Sequence, residues 1–293
     1  MLLPPGQQAI RTVRAVPGSG RRHHGRMSDP IRSVTMPSLF LSHGAPTLAL
    51  EDSATGRWLD GLGAALPRPR AVLVASAHAL AGVPHLGAGA RPATLHDFAG
   101  FPTALDALRY PAPGAPDLVP QAAELLGAAG FEATRDAAMP FDHGIWVPLM
   151  RMYPAADLPV LALSISPRRD ASWHYALGQA LAPLRDAGVL IVGSGGFVHN
   201  LGALQWHEHD APPAPWAQAF ARWLTARVRE GDTGAAQDWS ARAPHASRAH
   251  PTPEHLLPLF VAWGAAGGSG TPLHEAWEYG SLAMHAFRFG TRA

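Results

Sequence analysis

The chain has 293 residues, 47% of them hydrophobic and 15% charged, which is enough apolar material for a sizeable core and too much for a disordered protein. Its formal net charge of +1 gives no electrostatic reason to expect a nucleic acid or an anionic membrane as partner. It contains no cysteine, which excludes disulfides, thiolate metal sites and a cysteine nucleophile; a transition-metal site must use imidazole and carboxylate.

The N-terminal stretch differs from the rest. Arg11, Arg14, Arg21, Arg22 and Arg26 all precede the first acid, Asp29, among scattered Pro and Gly. The Pro4–Pro5 pair disfavours the amphipathic helix of an organellar transit peptide, and no apolar segment follows Arg21–Arg22 as an export signal requires. We read residues 1–35 as a disordered or non-native extension and 36–293 as one domain. No apolar run approaches the ~20 residues of a membrane span, and a cytoplasmic protein is expected.

Apolar runs at Ser38–Ser42, Ala71–Ser76, Pro159–Ile165 and Val189–Gly193 have the continuous character of strands buried on both faces. Helical patterns fall between and after them: Ser53–Leu66, Ala104–Arg109, Leu118–Ala129, Ile145–Met152, Ala171–Ala187, Ala214–Glu230 and Pro253–Gly264. Gly264–Gly270 reads as a surface loop. The alternation predicts a single α/β domain, its central sheet largely parallel or mixed and flanked by helices.

The sixteen histidines carry the functional signal. His43 and His78 stand just after the first two strands, and His199 shortly after the fourth. Ligands of open α/β sheets bind beyond the carboxyl ends of the strands, which places a metal site there. His255 comes from the start of the late helix opened by Pro253, and His143 from a turn before another helix. A lone histidine is more often structural than a ligand. His207 and His209, in Trp206–Asp210, read as solvated. Gly193–Gly196 lacks the spacing of a phosphate-binding loop and reads as a tight turn delivering His199. Neither H-E-x-x-H nor G-x-S-x-G occurs, which removes the common zinc proteases and the α/β-hydrolases.

In chain order, Ser42–Pro46 (SHGAP), Ala75–His78 (ASAH), His96–Pro102 (HDFAGFP), Tyr110–Gly114 (YPAPG), Phe141–Gly144 (FDHG), His199–Leu201 (HNL) and Thr252–His255 (TPEH) together resemble the DOPA-type branch of the class III extradiol ring-cleavage dioxygenases. The resemblance runs from about Met36 to Leu282. It implies that His43, His78 and His255 bind the metal, that His199 serves as acid/base within reach of a fourth ligand position, and that His143 contacts substrate or oxygen. His250 is not counted as a ligand. The implied cofactor is Fe(II), since Zn(II) has no redox chemistry, although Zn(II) can occupy such a site. The implied partners are a small-molecule catechol and O2.

Two other readings use the same residues. One is a zinc hydrolase with Glu254 or His199 as base; the other is a non-catalytic relative, because a fold alone does not fix function. Phe98, Phe141, Trp146 and Trp206 are candidates for an aromatic substrate wall, and Arg91 or Arg151 for a substrate carboxylate.

Overall fold

A computed structural model describes residues 35–290; the expected extension, apart from Thr35, lies outside the described residues. Among the described residues no helix is long and apolar enough to cross a membrane.

The strands are Ser38–Ser42 (β1), Ala71–Leu80 (β2), His85–Gly87 (β3), Thr134–Asp136 (β4), Val160–Ile165 (β5), Val189–Gly195 (β6), Gly270–His274 (β7), Trp277–Glu278 (β8), Leu282–Ala283 (β9) and Ala286–Phe289 (β10). Eight form one sheet in the order β4-β3-β5-β2-β6-β1-β10-β7, while β8 and β9 pair separately. The four central strands β5, β2, β6 and β1 are parallel. Antiparallel pairing begins at both flanks, where β3 meets β5 and β10 meets β1, so the sheet is mixed.

The central strands are apolar on both faces, and their side chains sort with the two-residue period of the pleat. Leu39, Leu41, Val72, Val74, Val160, Ala162, Leu190 and Val192 face the helices Ala54–Ala65 and His143–Met152, meeting Leu59, Leu62, Ile145 and Leu149. The alternate residues Leu73, Ala75, Leu161, Leu163, Val189 and Ile191 face Leu177, Leu181, Leu257 and Val261 of the helices Ala171–Leu181 and Leu257–Ala266. Leu257–Ala265 is buried without interruption, so that helix has no polar stripe.

Local chemistry fixes the boundaries. The Ser53 side chain caps Ala54–Ala65 by accepting from Gly56 N–H, and Asp170 caps Ala171–Leu181 by accepting from Trp173 N–H. The expected helix over Ala171–Ala187 divides at Ala182, where Pro183 opens a separate turn. The late helix starts at Leu257, not Pro253, so His255 sits in the turn ahead of it. The expected helix over Ala104–Arg109 is a 3-10 turn, Thr103–Ala107. The expected loop shrinks to 267–269, because the helix runs on to Ala266 and β7 begins at Gly270.

One buried histidine ties this core to pH. His174 donates from Nδ1 to Asp170 O (2.7 Å) and accepts at Nε2 from Ser166 N–H (3.2 Å), a pattern that only the neutral ring supports. Burial lowers its pKa to about 4, despite the opposing bond to Asp170. Because the folded pKa lies below the ordinary value, this contribution is complete above pH 6.5 and is lost as pH falls towards 4. The loss amounts to at most about 3 kcal/mol at 1.36 kcal/mol per pKa unit. Urea unfolding between pH 7 and 4 should show falling stability, with a shallower fall in His174→Gln; equal slopes in the two proteins would contradict this.

Candidate metal centre

Six histidines line one cleft of about 640 Å³ at the carboxyl ends of β1, β2 and β6; besides the exposed His207 they are His43, His78, His143, His199 and His255. His43 directly follows β1, and its N–H donates to Gly195 O (2.9 Å). Gly44 then turns the chain at φ +66°, in space where a Cβ would strike Met284. His78 lies inside β2, not after it: the pairing with β5 slips between Ser76 and Leu80, and this bulge carries His78. Bulges of this kind re-aim side chains beside active sites. His143 is the first residue of its helix, with Asp142 at the cap position, rather than part of a preceding turn.

The glycines of Gly193–Gly196 serve a different purpose from the expected tight turn. Gly193 and Gly195 belong to β6, where added Cβ atoms would run into the carbonyl oxygens of Pro258 and His255. Their missing side chains let the His255 segment lie directly on the sheet, and Gly196 N–H donates to His255 O (2.8 Å). His199 follows, anchored by its N–H to Ala249 O (3.0 Å).

Three ring nitrogens converge. His78 Nε2 lies 3.1 Å from His43 Nε2 and 3.3 Å from His255 Nε2. Each Nδ1 faces an anchor: those of His43 and His255 are hydrogen-bonded to Ser194 Oγ (3.1 Å) and Glu254 Oε1 (3.0 Å), and that of His78 stands 3.2 Å from Asp97 Oδ2. Ser194 donates its own proton to Gly144 O, so its oxygen accepts from His43. With Nδ1–H donating in His43 and His255, and turned towards Asp97 in His78, the Nε2 atoms carry lone pairs, and that of His78 faces the other two. Such an arrangement is repulsive unless a cation lies among them, and anchoring Nδ1 in this way is how proteins orient imidazole ligands. The donor set therefore fits a metal ion.

Electrostatics act in the same sense. Burial, followed by the neighbouring histidines, holds His43 and His255 well below the ordinary pKa. Burial and His143 take His78 to about 4 against the opposing pull of Asp97 and Glu254. Burial and His255 take His199 to about 2. The rings are neutral, as metal ligation requires.

Two further histidines flank this trio. The His199 ring stacks on that of His255, with centroids 3.4 Å apart and planes inclined by 6°. His143 lies against His78 at 3.9 Å between centroids and donates from Nδ1 to Asp97 Oδ1 (2.9 Å).

Asp97, which motif reading left without a role, thus bridges His78 and His143. Burial opposes its ionisation, but the His143 bonds outweigh that and hold its pKa at about 2. Its signal was its place in the His96–Pro102 motif. Glu254 holds His255 and accepts from Thr252 Oγ1 (2.9 Å), so its carboxylate is already engaged. Nothing in the sequence marked Ser194, which only sheet geometry brings to His43.

Several expected residues stand elsewhere. His250 is buried, its Nε2 donating to Phe197 O (3.1 Å), and its ring packs on Phe220 and Trp239. Phe141 and Trp146 are fully buried core residues; Trp206 does line the cleft, with Phe101 and Tyr279. Arg151 pairs with Asp60 (3.0 Å), and neither it nor Arg91 lines the cleft. His209 is not solvated as expected: it is two-thirds buried beside Glu51 and Glu278.

Comparison with known proteins matches this arrangement to one family. Residues 37–290 match the catalytic LigB subunit of aromatic ring-opening dioxygenase. The chain is 41% identical to a 4,5-DOPA dioxygenase extradiol of Escherichia coli K12, over 88% of this chain and 96% of that one. It is 39% identical to the enzyme of the same name from Beta vulgaris, over 86% and 96% respectively. A crystal structure of an uncharacterized Escherichia coli K12 protein is similar at a TM-score of 0.74 and 38% identity, covering 87% of this chain and all of that one. The chain belongs to the LigB family of metal-dependent aromatic ring-opening dioxygenases and is an extradiol dioxygenase.

Proposed function

We propose that His43, His78 and His255 are the metal ligands, that His199 is the proton carrier and that His143 contacts substrate or oxygen. The observation that carries this reading is the convergence of three Nε2 lone pairs, each on a ring whose Nδ1 faces an anchor, on the wall of a cleft roomy enough for a catechol. We take Fe(II) as the native ion, with Zn(II) as an inactive competitor for the same nitrogens. When bound, Fe(II) supplies the redox chemistry that lets O2 react with a coordinated diol. In the overall reaction one ring C–C bond beside the diol breaks, and both atoms of O2 enter a product bearing a carboxylate and an aldehyde.

The residues divide the remaining work. To His199, stacked on His255 at the cleft, we assign the transfer of a proton from a catechol hydroxyl to an oxygen as the ring opens. His143, whose Nδ1–H is fixed by Asp97, presents the lone pair of Nε2, which suits it to accept a hydrogen bond from a substrate hydroxyl. Phe101, Trp206 and Leu204 supply the apolar wall. We propose a DOPA-like catechol as substrate, in keeping with the shared name of the two curated relatives. No arginine is among the described residues lining the cleft, so the exposed His207 at its edge is the basic group we assign to a substrate carboxylate.

An oxygen electrode tests the reading. After anaerobic Fe(II) loading, DOPA should consume O2 in equal amount and yield a yellow semialdehyde. Ester hydrolysis with Zn(II), without O2 uptake, would instead favour the hydrolase. His199→Ala should lower turnover by about 10²–10⁴-fold with metal retained. His43→Ala should lose the metal; undiminished metal content in that variant would overturn the ligand assignment.

A further inference from the structure

A second cluster lies on the far side of the cleft wall. Glu51, His209 and Glu278 each bring one donor atom within 4.8 Å of the others. They line a separate cavity of about 570 Å³. His209 Nε2 stands 3.7 Å from Glu51 Oε2 and 3.9 Å from Glu278 Oε1.

Three observations set this apart from an ordinary acidic surface patch. Glu278 is only 3% exposed, yet its Oε1 has no hydrogen-bond partner, and neither has His209 Nε2. A buried carboxylate oxygen without a partner is costly. His209 Nδ1 is tied to Asp210 Oδ1 at 2.7 Å, which leaves Nε2 aimed at the two carboxylates. That is the carboxylate–histidine pattern that orients imidazoles towards metals. Finally, the separations of 3.7 and 3.9 Å are too long for hydrogen bonds from a protonated ring. Two donors bound to one ion at about 2.1 Å each can stand up to about 4.2 Å apart, so a shared cation spans both gaps.

We propose that Glu51, His209 and Glu278 form a second divalent-cation site, separate from the catalytic histidines. One imidazole and two carboxylates, without sulfur, suit Mn(II) or Zn(II). His209 is anchored by Asp210, while the partly exposed Glu51 closes on the ion. Trp206, His207 and Tyr279 border both cavities, and the Tyr279 hydroxyl donates to Glu51 Oε1 (3.2 Å). An ion here therefore braces the wall against which the substrate lies.

Equilibrium dialysis of chelator-treated full-length protein against Zn(II), and separately against Mn(II), tests the site. With Zn(II), wild type should bind two ions per chain, Glu278→Gln and His43→Ala one each, and the double variant none. His209→Gln should match Glu278→Gln, which guards against a folding defect at the buried position. Zn(II) should also raise the Tm of His43→Ala but not of His43→Ala/Glu278→Gln. One ion per chain in wild type, kept by Glu278→Gln and His209→Gln and lost by His43→Ala, would overturn the second site and leave the catalytic one standing. One ion lost by Glu278→Gln but kept by His43→Ala would instead support the second site and remove the proposed catalytic ligands.

Discussion

The organisation of this protein rests on three imidazole lone pairs forced together. Left alone, His43, His78 and His255 would turn their Nε2 atoms apart or share a proton. Ser194 and Glu254 oppose both by engaging the Nδ1–H of His43 and His255, and the Asp97 carboxylate stands beside that of His78. Burial then lowers the pKa of all three rings, so a proton is a poor substitute for a metal ion. The fold holds the site in a state whose repulsion a cation relieves.

Bringing the rings that close requires unusual intimacy between backbone segments. The first two ride on neighbouring parts of the sheet, one just beyond β1 and the other on the bulge of β2. The third arrives from the opposite layer and reaches the sheet only because β6 offers glycine at 193 and 195. The helix after it, Leu257–Ala266, is buried on all sides, which fixes the turn that carries His255. Asp97 couples two of the pocket rings, since one carboxylate lies against both His78 and His143.

The same device recurs at the pocket wall. Asp210 holds His209 as Glu254 holds His255, and the freed nitrogen again points at possible ligand atoms, one of them the unpartnered Oε1 of Glu278. Two clusters built on one principle, with Tyr279 and Trp206 between them, make the wall of the cleft part of an electrostatic framework rather than a passive apolar lining.

Much of this was legible in the chain itself. The four central strands, five of the six cleft histidines and the exclusion of thiolate chemistry follow from apolar runs, turn residues and the absence of cysteine, because these are local properties. The short flanking strands were not legible: three-residue β3 and β4 are too brief for a period, and Pro272 disguises β7. Phe141 and Trp146 looked like substrate contacts because a sequence cannot distinguish an aromatic wall from a core. His209 looked solvated because its partners, Glu51 and Glu278, are far away along the chain. Residue type and local pattern thus determined which groups were available for chemistry. Only the tertiary structure decided which nitrogen of each ring is free and what it faces, because that depends on contacts between segments far apart in sequence.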